Sequence, residues 1–287
     1  MVLESILNPF FLKKRPWDMF LAGFIYSILA LTLSFFVFME GAGLLMIFLI
    51  LLSVLPVLYT TIKREEELDI QYDKEIFLLK EHTKVIIFLM FLFLGITLAL
   101  FLAYLVLPIS VVNNIFTLQQ QAIANVIQTV NQDAQVLTGN ITKLSLFTNI
   151  FINNIKVLFF SLVFSFLYGV GAMFILTWNA SVVATAMGIL AKNELSNAAI
   201  GSGIGSILAY INISAFSFFR YMTHGLIEIA AYFVVGLAGG IISVALIKHD
   251  FKYDRVLIDT LDLILISIGF LFVAGIIEVF ITPAIFS

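Results

Sequence analysis

The sequence predicts an all-α fold, a polytopic bundle of about seven transmembrane helices. Of its 287 residues, 62% are apolar and 11% are charged, against about 45–50% and roughly a quarter in soluble domains. Mean hydropathy is +1.11, and 15 basic and 18 acidic residues cannot cover a soluble domain of this length, so lipid must solvate most of the chain. The absence of cysteine excludes disulfides and thiolate metal sites. A net charge of −3 gives no reason to expect nucleic acid as a partner.

Three spans are expected in the N-terminal part, because an apolar helix of about 20 residues crosses the bilayer core. Apolar runs cover residues 19–39, 42–62 and 85–107. Only Glu40 and Gly41 separate the first two runs, which indicates a tight helical hairpin. No small-residue cleavage site closes the first run, so we expect it to remain as a span.

Four further spans are expected in the C-terminal half, and one of them is short. Residues 157–176, 225–247 and 263–286 are long apolar runs. Residues 180–195 are shorter but rich in small residues, which suits a helix packed inside protein. Residues 197–219 are apolar but interrupted by glycines, so we expect an interfacial or re-entrant element there, covered by protein or a cavity.

The placement of Lys and Arg predicts the orientation, because cytoplasmic loops carry an excess of basic residues. With seven spans, eleven basic residues fall on one side and four on the other. The eleven are Lys13, Lys14, Arg15, Lys63, Arg64, Lys74, Lys80, Lys84, Lys248, Lys252 and Arg255, and the four are Lys143, Lys156, Lys192 and Arg220. The sequence therefore predicts a multi-pass protein of the cell membrane, with a cytoplasmic N-terminus and an extracytoplasmic C-terminus.

The spans and loops divide the chain into three regions: a three-span region at residues 1–108, an extracytoplasmic loop at 109–150 and a C-terminal bundle at 151–287. The cytoplasmic loop 63–84 has acidic residues before basic ones, which is typical of a solvated helix. A docking site for a cytoplasmic protein is the alternative. Within 109–150, apolar residues at helical spacing predict an amphipathic helix that lies on the membrane or caps the bundle.

Polar residues within the apolar part mark the candidate functional site, because an ionisable group at membrane depth is costly. This polar intramembrane cluster is Asn154, Asn179, His224, Glu228 and Glu278. His224 and Glu228 are four residues apart and share one helical face. They fit a structural hydrogen bond, a proton or ion relay, or part of a metal site without a visible third ligand. Glu278 supplies that ligand only if the last span packs against the sixth, and its candidate partners are Asn179, Tyr221 and His224.

Glycines indicate where helices pack, because small residues allow close approach in lipid. The candidate packing positions are Gly169, Gly171, Gly201, Gly205, Gly236 and Gly240. The last four form two Gly-x-x-x-Gly pairs. Packing within the chain is the first interpretation, and a homodimer interface is the alternative.

Five short motifs follow one another in the C-terminal half. They are Asn153-Asn154, Tyr168-Gly169-Val170-Gly171-Ala172, Trp178-Asn179-Ala180-Ser181, His224-Gly225-Leu226-Ile227-Glu228 and Ile277-Glu278-Val279-Phe280-Ile281-Thr282-Pro283. In this order the sequence resembles the stage II sporulation protein M family of integral membrane proteins, in its archaeal form. Pro16-Trp17 and the first spans resemble the archaeal variant's N-terminal half, whereas Asn179-Ala180 departs from the Asn-Gly that the family often has. The resemblance implies a scaffold of a membrane complex, without assigned chemistry for the polar residues.

Three functions are compatible with these features, and no soluble-enzyme motif, cofactor site or complete metal site is apparent. The first is a non-enzymatic scaffold or partner subunit in membrane remodelling or envelope assembly. Its expected partners are the lipid bilayer, a further copy of the chain, or another membrane or cytoplasmic protein. The second is a transporter or channel for a proton, ion or lipid, and the third is an intramembrane metal-dependent hydrolase using His224 and Glu228. A water-accessible cavity that joins the polar residues favours the last two, whereas pairing in dry packing favours a scaffold.

Overall fold

The computed structural model describes residues 16–38, 41–71, 75–136, 143–165, 170–197, 204–248 and 253–286. These residues are helical almost throughout, and no strand occurs among them, which confirms the all-α prediction. The elements in chain order are α1 (Pro16–Val37), α2 (Ala42–Gln71), α3 (Glu75–Val106), α4 (Ile109–Ile115), α5 (Thr117–Val136), α6 (Lys143–Ser165), α7 (Val170–Asn197), α8 (Ile204–Lys248), α9 (Tyr253–Ile276), a π-helix (Ile277–Ile281) and α10 (Thr282–Ile285).

Seven stretches of the described residues are helical, long and apolar enough to cross a membrane, which is the number that the sequence predicts. They are Pro16–Val37, Ala42–Thr61, Lys80–Val106, Lys143–Ser165, Gly171–Asn197, Ile207–Ser243 and Val256–Ile285. The first three agree closely with the predicted spans. The seventh runs through α9, the π-helix and α10, which together are called the last helix below.

The fourth and fifth spans lie at other positions than the sequence predicts. The predicted spans at residues 157–176 and 180–195 are replaced by α6 and α7, which begin and end at different residues. The hydropathy pattern predicts the wrong boundary between the fourth and fifth spans, because the first half of α6 is rich in polar residues. That half is nevertheless helical, and its Phe147 and Phe151 pack against Phe272 of the last helix. The buried face of α6 begins at Asn154. The buried residues of this face are Asn154, Leu158, Ser161 and Ser165.

Residues 197–219 do not form the separate interfacial or re-entrant element that the glycines predict. Asn197 ends α7, residues 198–203 lie outside the described residues, and the remainder opens α8, which is continuous from Ile204 to Lys248. A glycine in a helix costs only about 1 kcal/mol relative to alanine, and packing along a long helix outweighs it. The 45 residues of α8 extend about 68 Å, more than twice the ~30 Å bilayer core.

α1 packs on α3 through a direct approach of the two backbones. Gly23 faces the carbonyl of Leu92, and Gly95 faces the carbonyl of Phe20. A Cβ at either glycine would collide with that carbonyl. The hydroxyl of Ser27, on the same buried stripe, donates to the Gly23 carbonyl of its own helix at 2.8 Å. The polar atoms of this serine are therefore satisfied without a partner helix.

Within the predicted loop 109–150, α4 and the start of α5 cap part of the bundle. The predicted amphipathic helix lies within α5, which α4 precedes. Side chains from the end of α4 and the start of α5 are buried: Val112, Ile115, Phe116 and Gln119. The carbonyl of Ile115 lies against Gly43 of α2, where a Cβ would not fit. The sequence predicts a helix that either lies on the membrane or caps the bundle. These contacts show capping for α4 and the start of α5.

Candidate functional site

Asn154 and Glu228 join α6 to α8. The Nδ2 group of Asn154 donates a hydrogen bond to Oε1 of Glu228 at 2.5 Å, and Asn154 is only 8% exposed. Eleven residues further along each helix, Ser165 lies directly against Gly239, where a Cβ would collide with the serine hydroxyl. Because the two contacts have the same spacing on both helices, α6 and α8 run side by side in the same direction.

His224 joins α8 to the last helix. Its Nδ1 lies 3.3 Å from Oγ1 of Thr282, and its Nε2 lies 3.9 Å from Oε1 of Glu278. The histidine is buried, whereas 30% of the Glu278 side chain is exposed. His224 and Glu228 share a face of α8, as the sequence predicts, but each turns to a different neighbouring helix. Within the described residues, no hydrogen bond or ion pair joins the two.

The carboxyl group of Glu278 comes from an irregular turn of the last helix. Residues Ile277–Ile281 form a π-helix, and such wide turns occur often at functional sites. Pro283 lies just beyond it and has no N–H to donate to a carbonyl of the preceding turn. A widened turn accommodates that missing bond and sets both Glu278 and Thr282 towards His224.

Aromatic contacts hold the last helix against α6 and α8. Phe272 packs edge-on against Phe147 and Phe151 of α6. Phe216 of α8 packs against Phe286, with ring centres 5.4 Å apart. The last helix therefore runs antiparallel to both neighbours. It packs against α8, which is the arrangement that the sequence analysis required for Glu278 to approach His224.

Asn179 is the candidate that the structure does not join to the others by a hydrogen bond. It lies on α7, and its amide nitrogen is buried without a hydrogen-bond partner among the described residues. Tyr221, a candidate partner of Glu278, lies beside His224 instead, with ring centres 6.4 Å apart. In the described part of the chain, no group of three His, Asp or Glu side chains is arranged to hold a metal ion.

A recess in the bundle lies away from these polar residues. Its walls are apolar side chains and one threonine, including Leu58, Thr61, Leu89, Met173, Leu176 and Phe233. None of the candidate polar residues lines it. The recess therefore offers no polar pathway to Asn154, His224, Glu228 or Glu278.

The glycine positions account for part of the helix packing. Gly171 lies against Phe164. Gly236 lies opposite Ala172 of α7, and a Cβ added at Gly236 would be 3.2 Å from the Cβ of Ala172. Gly240 is buried, and Gly205 is the second residue of α8. Gly169 and Gly201 lie outside the described residues.

Sequence reasoning missed Thr282, Gln119 and Ser181, which make polar contacts between elements. In the sequence Thr282 is only one position of a longer motif, but in the structure it contacts His224. Gln119 is fully buried and donates from Nε2 to Oγ of Ser181 at 3.1 Å, which ties the cap to α7. The apolar residues just before Gln119 were a signal of burial, but the neighbouring glutamines made the segment resemble a solvated loop.

A comparison with models of known protein families shows which family the chain belongs to. The family model described as stage II sporulation protein M matches residues 84–283. The chain belongs to this family. The match begins near the start of the third span and ends within the last helix, so all five residues of the polar intramembrane cluster lie inside it. No curated protein and no solved structure matches the chain.

Proposed function

We propose that this stage II sporulation protein M family member is a non-enzymatic membrane scaffold, or a partner subunit, in membrane remodelling or envelope assembly. The observation that supports this proposal is the pairing of Asn154 with Glu228 and of His224 with Thr282 and Glu278. Polar contacts between helices fix their relative positions in lipid. Three helices tied in this way present a constant surface to a partner.

The scaffold proposal is tested by the state of the chain in native membranes. We expect the wild-type protein to migrate on native gels in a complex larger than the single chain, and cross-linking with mass spectrometry to identify the same membrane partner each time. Asn154→Leu removes the tie between α6 and α8 and should reduce that complex. Asn153→Leu alters an exposed neighbour and should leave it intact. A wild-type chain that is monomeric in its own membrane would contradict the proposal.

A proton or ion pathway is the second candidate, and the exposure of Glu278 favours it. The partly exposed carboxyl group lies 3.9 Å from the buried His224, and Glu228 lies one helical turn beyond His224 on the same face of α8. If the chain forms such a pathway, we expect the wild type to show proton-linked flux in proteoliposomes. Glu228→Gln should abolish this flux while the variant remains folded. The scaffold proposal expects no flux above that of protein-free vesicles.

We further propose that the N-terminus is cytoplasmic, because eleven of the fifteen basic residues precede the first span or lie in the connections and span ends of one side. Of the other four, Lys156 and Arg220 lie within the fourth and sixth spans, so few basic residues remain on the opposite side. The chain has no native cysteine, so single introduced cysteines report the side directly. Glu194→Cys should react with a membrane-impermeant maleimide in intact cells, and Lys80→Cys only after permeabilisation. The reverse pattern would contradict this orientation.

A further inference from the structure

We propose that the exposed face of α6 binds a transmembrane helix of another protein, and that Lys156 pairs there with a carboxyl group of that helix. This face is called the α6 seam below and consists of Asn149, Asn153, Lys156, Phe160 and Val163. The inference rests on the proposed function as a scaffold or partner subunit, because it names the kind of partner and the surface that holds it.

The α6 seam lies on the side of the helix that the bundle leaves open. α6 is the least buried of the seven spans. Its buried side begins at Asn154 and includes Leu158 and Ser161, and at about 100° per residue the seam lies opposite to them. No described residue forms a hydrogen bond or an ion pair with the polar members of the seam. Asn149 is half-buried, and Asn153, Lys156, Phe160 and Val163 are exposed.

Lys156 lies at a depth where the neighbouring helix presents apolar side chains. The 23 residues of α6 extend about 35 Å, close to the ~30 Å bilayer core, and Lys156 is near their middle. The last helix runs antiparallel beside α6, and Phe151 packs against Phe272. The residues at the depth of Lys156 are therefore those just before Phe272, where Leu265 and Ile268 are exposed. Lipid is the expected surrounding of the bundle at this depth.

A lysine in this position needs a negative partner, because an ionisable group at membrane depth is costly and is usually paired. The nearer end of α6 is Ser165, about 14 Å away along the helix. Lipid phosphates lie beyond the apolar core, in the interfacial layer. A carboxyl group that another helix carries into the core meets Lys156 at its own depth, so charge and depth together favour a protein partner.

The spacing of the seam favours a helix as that partner. Its five residues follow one another at intervals of four, three, four and three, which is the spacing through which one helix packs along another. A single Lys or Asn at such a position specifies the partner and the register. A second copy of this chain does not suit the seam. Two copies have the same orientation in the membrane, so symmetric packing would place Lys156 against Lys156.

Photocross-linking of the full chain in its native membranes tests this inference. Phe160 is replaced with the photoreactive amino acid p-benzoylphenylalanine. We expect an adduct with a transmembrane helix of another protein, at a site within about one helical turn of an Asp or Glu. Phe270 on the last helix, which is also exposed, is the matched control. The same replacement there should give adducts with lipid only.

Substitutions at Lys156 show whether the charge holds the partner. Lys156→Glu should reduce the protein adduct about tenfold, because it places two negative charges together, and Lys156→Arg should retain it. In the Lys156→Glu background, a lysine in place of the partner's acidic residue should restore the adduct. Asn153→Leu keeps the charge on the same face, and Lys80→Glu reverses an exposed charge on α3, so both should leave the adduct intact.

Several results would overturn the inference. Adducts of the Phe160 position with lipid only would show that the seam faces the bilayer, and adducts with a second copy would assign it to a homodimer. A protein adduct that Lys156→Glu leaves unchanged, or that the exchanged charges do not restore, excludes the ion pair. In each of these cases a complex of the wild type on native gels still supports the scaffold proposal. A wild-type chain that is monomeric in its own membrane contradicts both.

Discussion

The α1–α3 pair and the three-helix unit of α6, α8 and the last helix are held together in different ways. In the first, glycines at positions 23 and 95 bring two backbones into direct contact. In the second, Asn154, His224 and Glu278 make polar contacts with neighbouring helices. Backbone packing depends only on the shapes of the two helices. A polar contact also depends on hydrogen-bond donors, on charge and on other groups that compete for the same atoms. We therefore propose that the α1–α3 pair serves as a fixed frame and that the proposed function depends on the three-helix unit.

The largest effect is expected from breaking the frame. Gly95→Leu places a side chain against the Phe20 carbonyl, and such overpacking costs about 3 kcal/mol of the free energy of unfolding. We expect a large fall in the melting temperature in detergent. Gly269→Leu is the matched control, because the space around Gly269 is open. Equal melting temperatures of the two variants would show that α1 and α3 are not packed through Gly95.

A smaller loss is expected when the three-helix unit is broken. Asn154→Leu leaves the Glu228 carboxyl group without its donor, and an unsatisfied buried polar group costs about 1–3 kcal/mol. The melting temperature should fall, while that of Asn153→Leu should stay close to wild type because Asn153 is exposed. If the two leucine variants melt alike, the contact with Glu228 contributes nothing to the fold.

The smallest effect is expected at the last helix. Thr282→Val removes the hydroxyl that contacts His224 and keeps the shape, so the cost should be about 0.5–1.5 kcal/mol. Thr223→Val is the control, because the Thr223 hydroxyl bonds only the Phe219 carbonyl of its own helix at 2.8 Å. Unfolding in a denaturant series measures both. A control that is destabilised as much as Thr282→Val would remove the evidence for a tie to α8.

Composition and hydropathy predicted the class of fold and the number of spans, because both depend on how much apolar sequence must meet lipid. They placed the break between α6 and α7 wrongly, since a hydropathy window averages over all faces of a helix. Asn154 lowers the average although it points to α8. The glycines of residues 197–219 predict a break, but Gly205 lies within α8, because glycine weakens a helix without preventing it.

The polar residues of the candidate site were found from the sequence, but their pairing was not. His224 and Glu228 share a helical face, which suggested a bond between them. Neighbouring helices compete for the same groups, so Asn154 takes Glu228, and Thr282 and Glu278 take His224. His224 and Thr282 are 58 residues apart in the sequence, and Asn154 and Glu228 are 74 residues apart. Periodicity within one helix gives no information about contacts between residues so far apart.

The coupling between Asn154 and Glu228 tests most directly whether polar contacts tie the three-helix unit together. It is measured by a double-mutant cycle of Asn154→Ala and Glu228→Ala, using the free energy of unfolding of the wild type, both single variants and the double variant. The account predicts a coupling of about 1 kcal/mol, within the range known for polar contacts between membrane helices. Strict additivity of the two substitutions would contradict it.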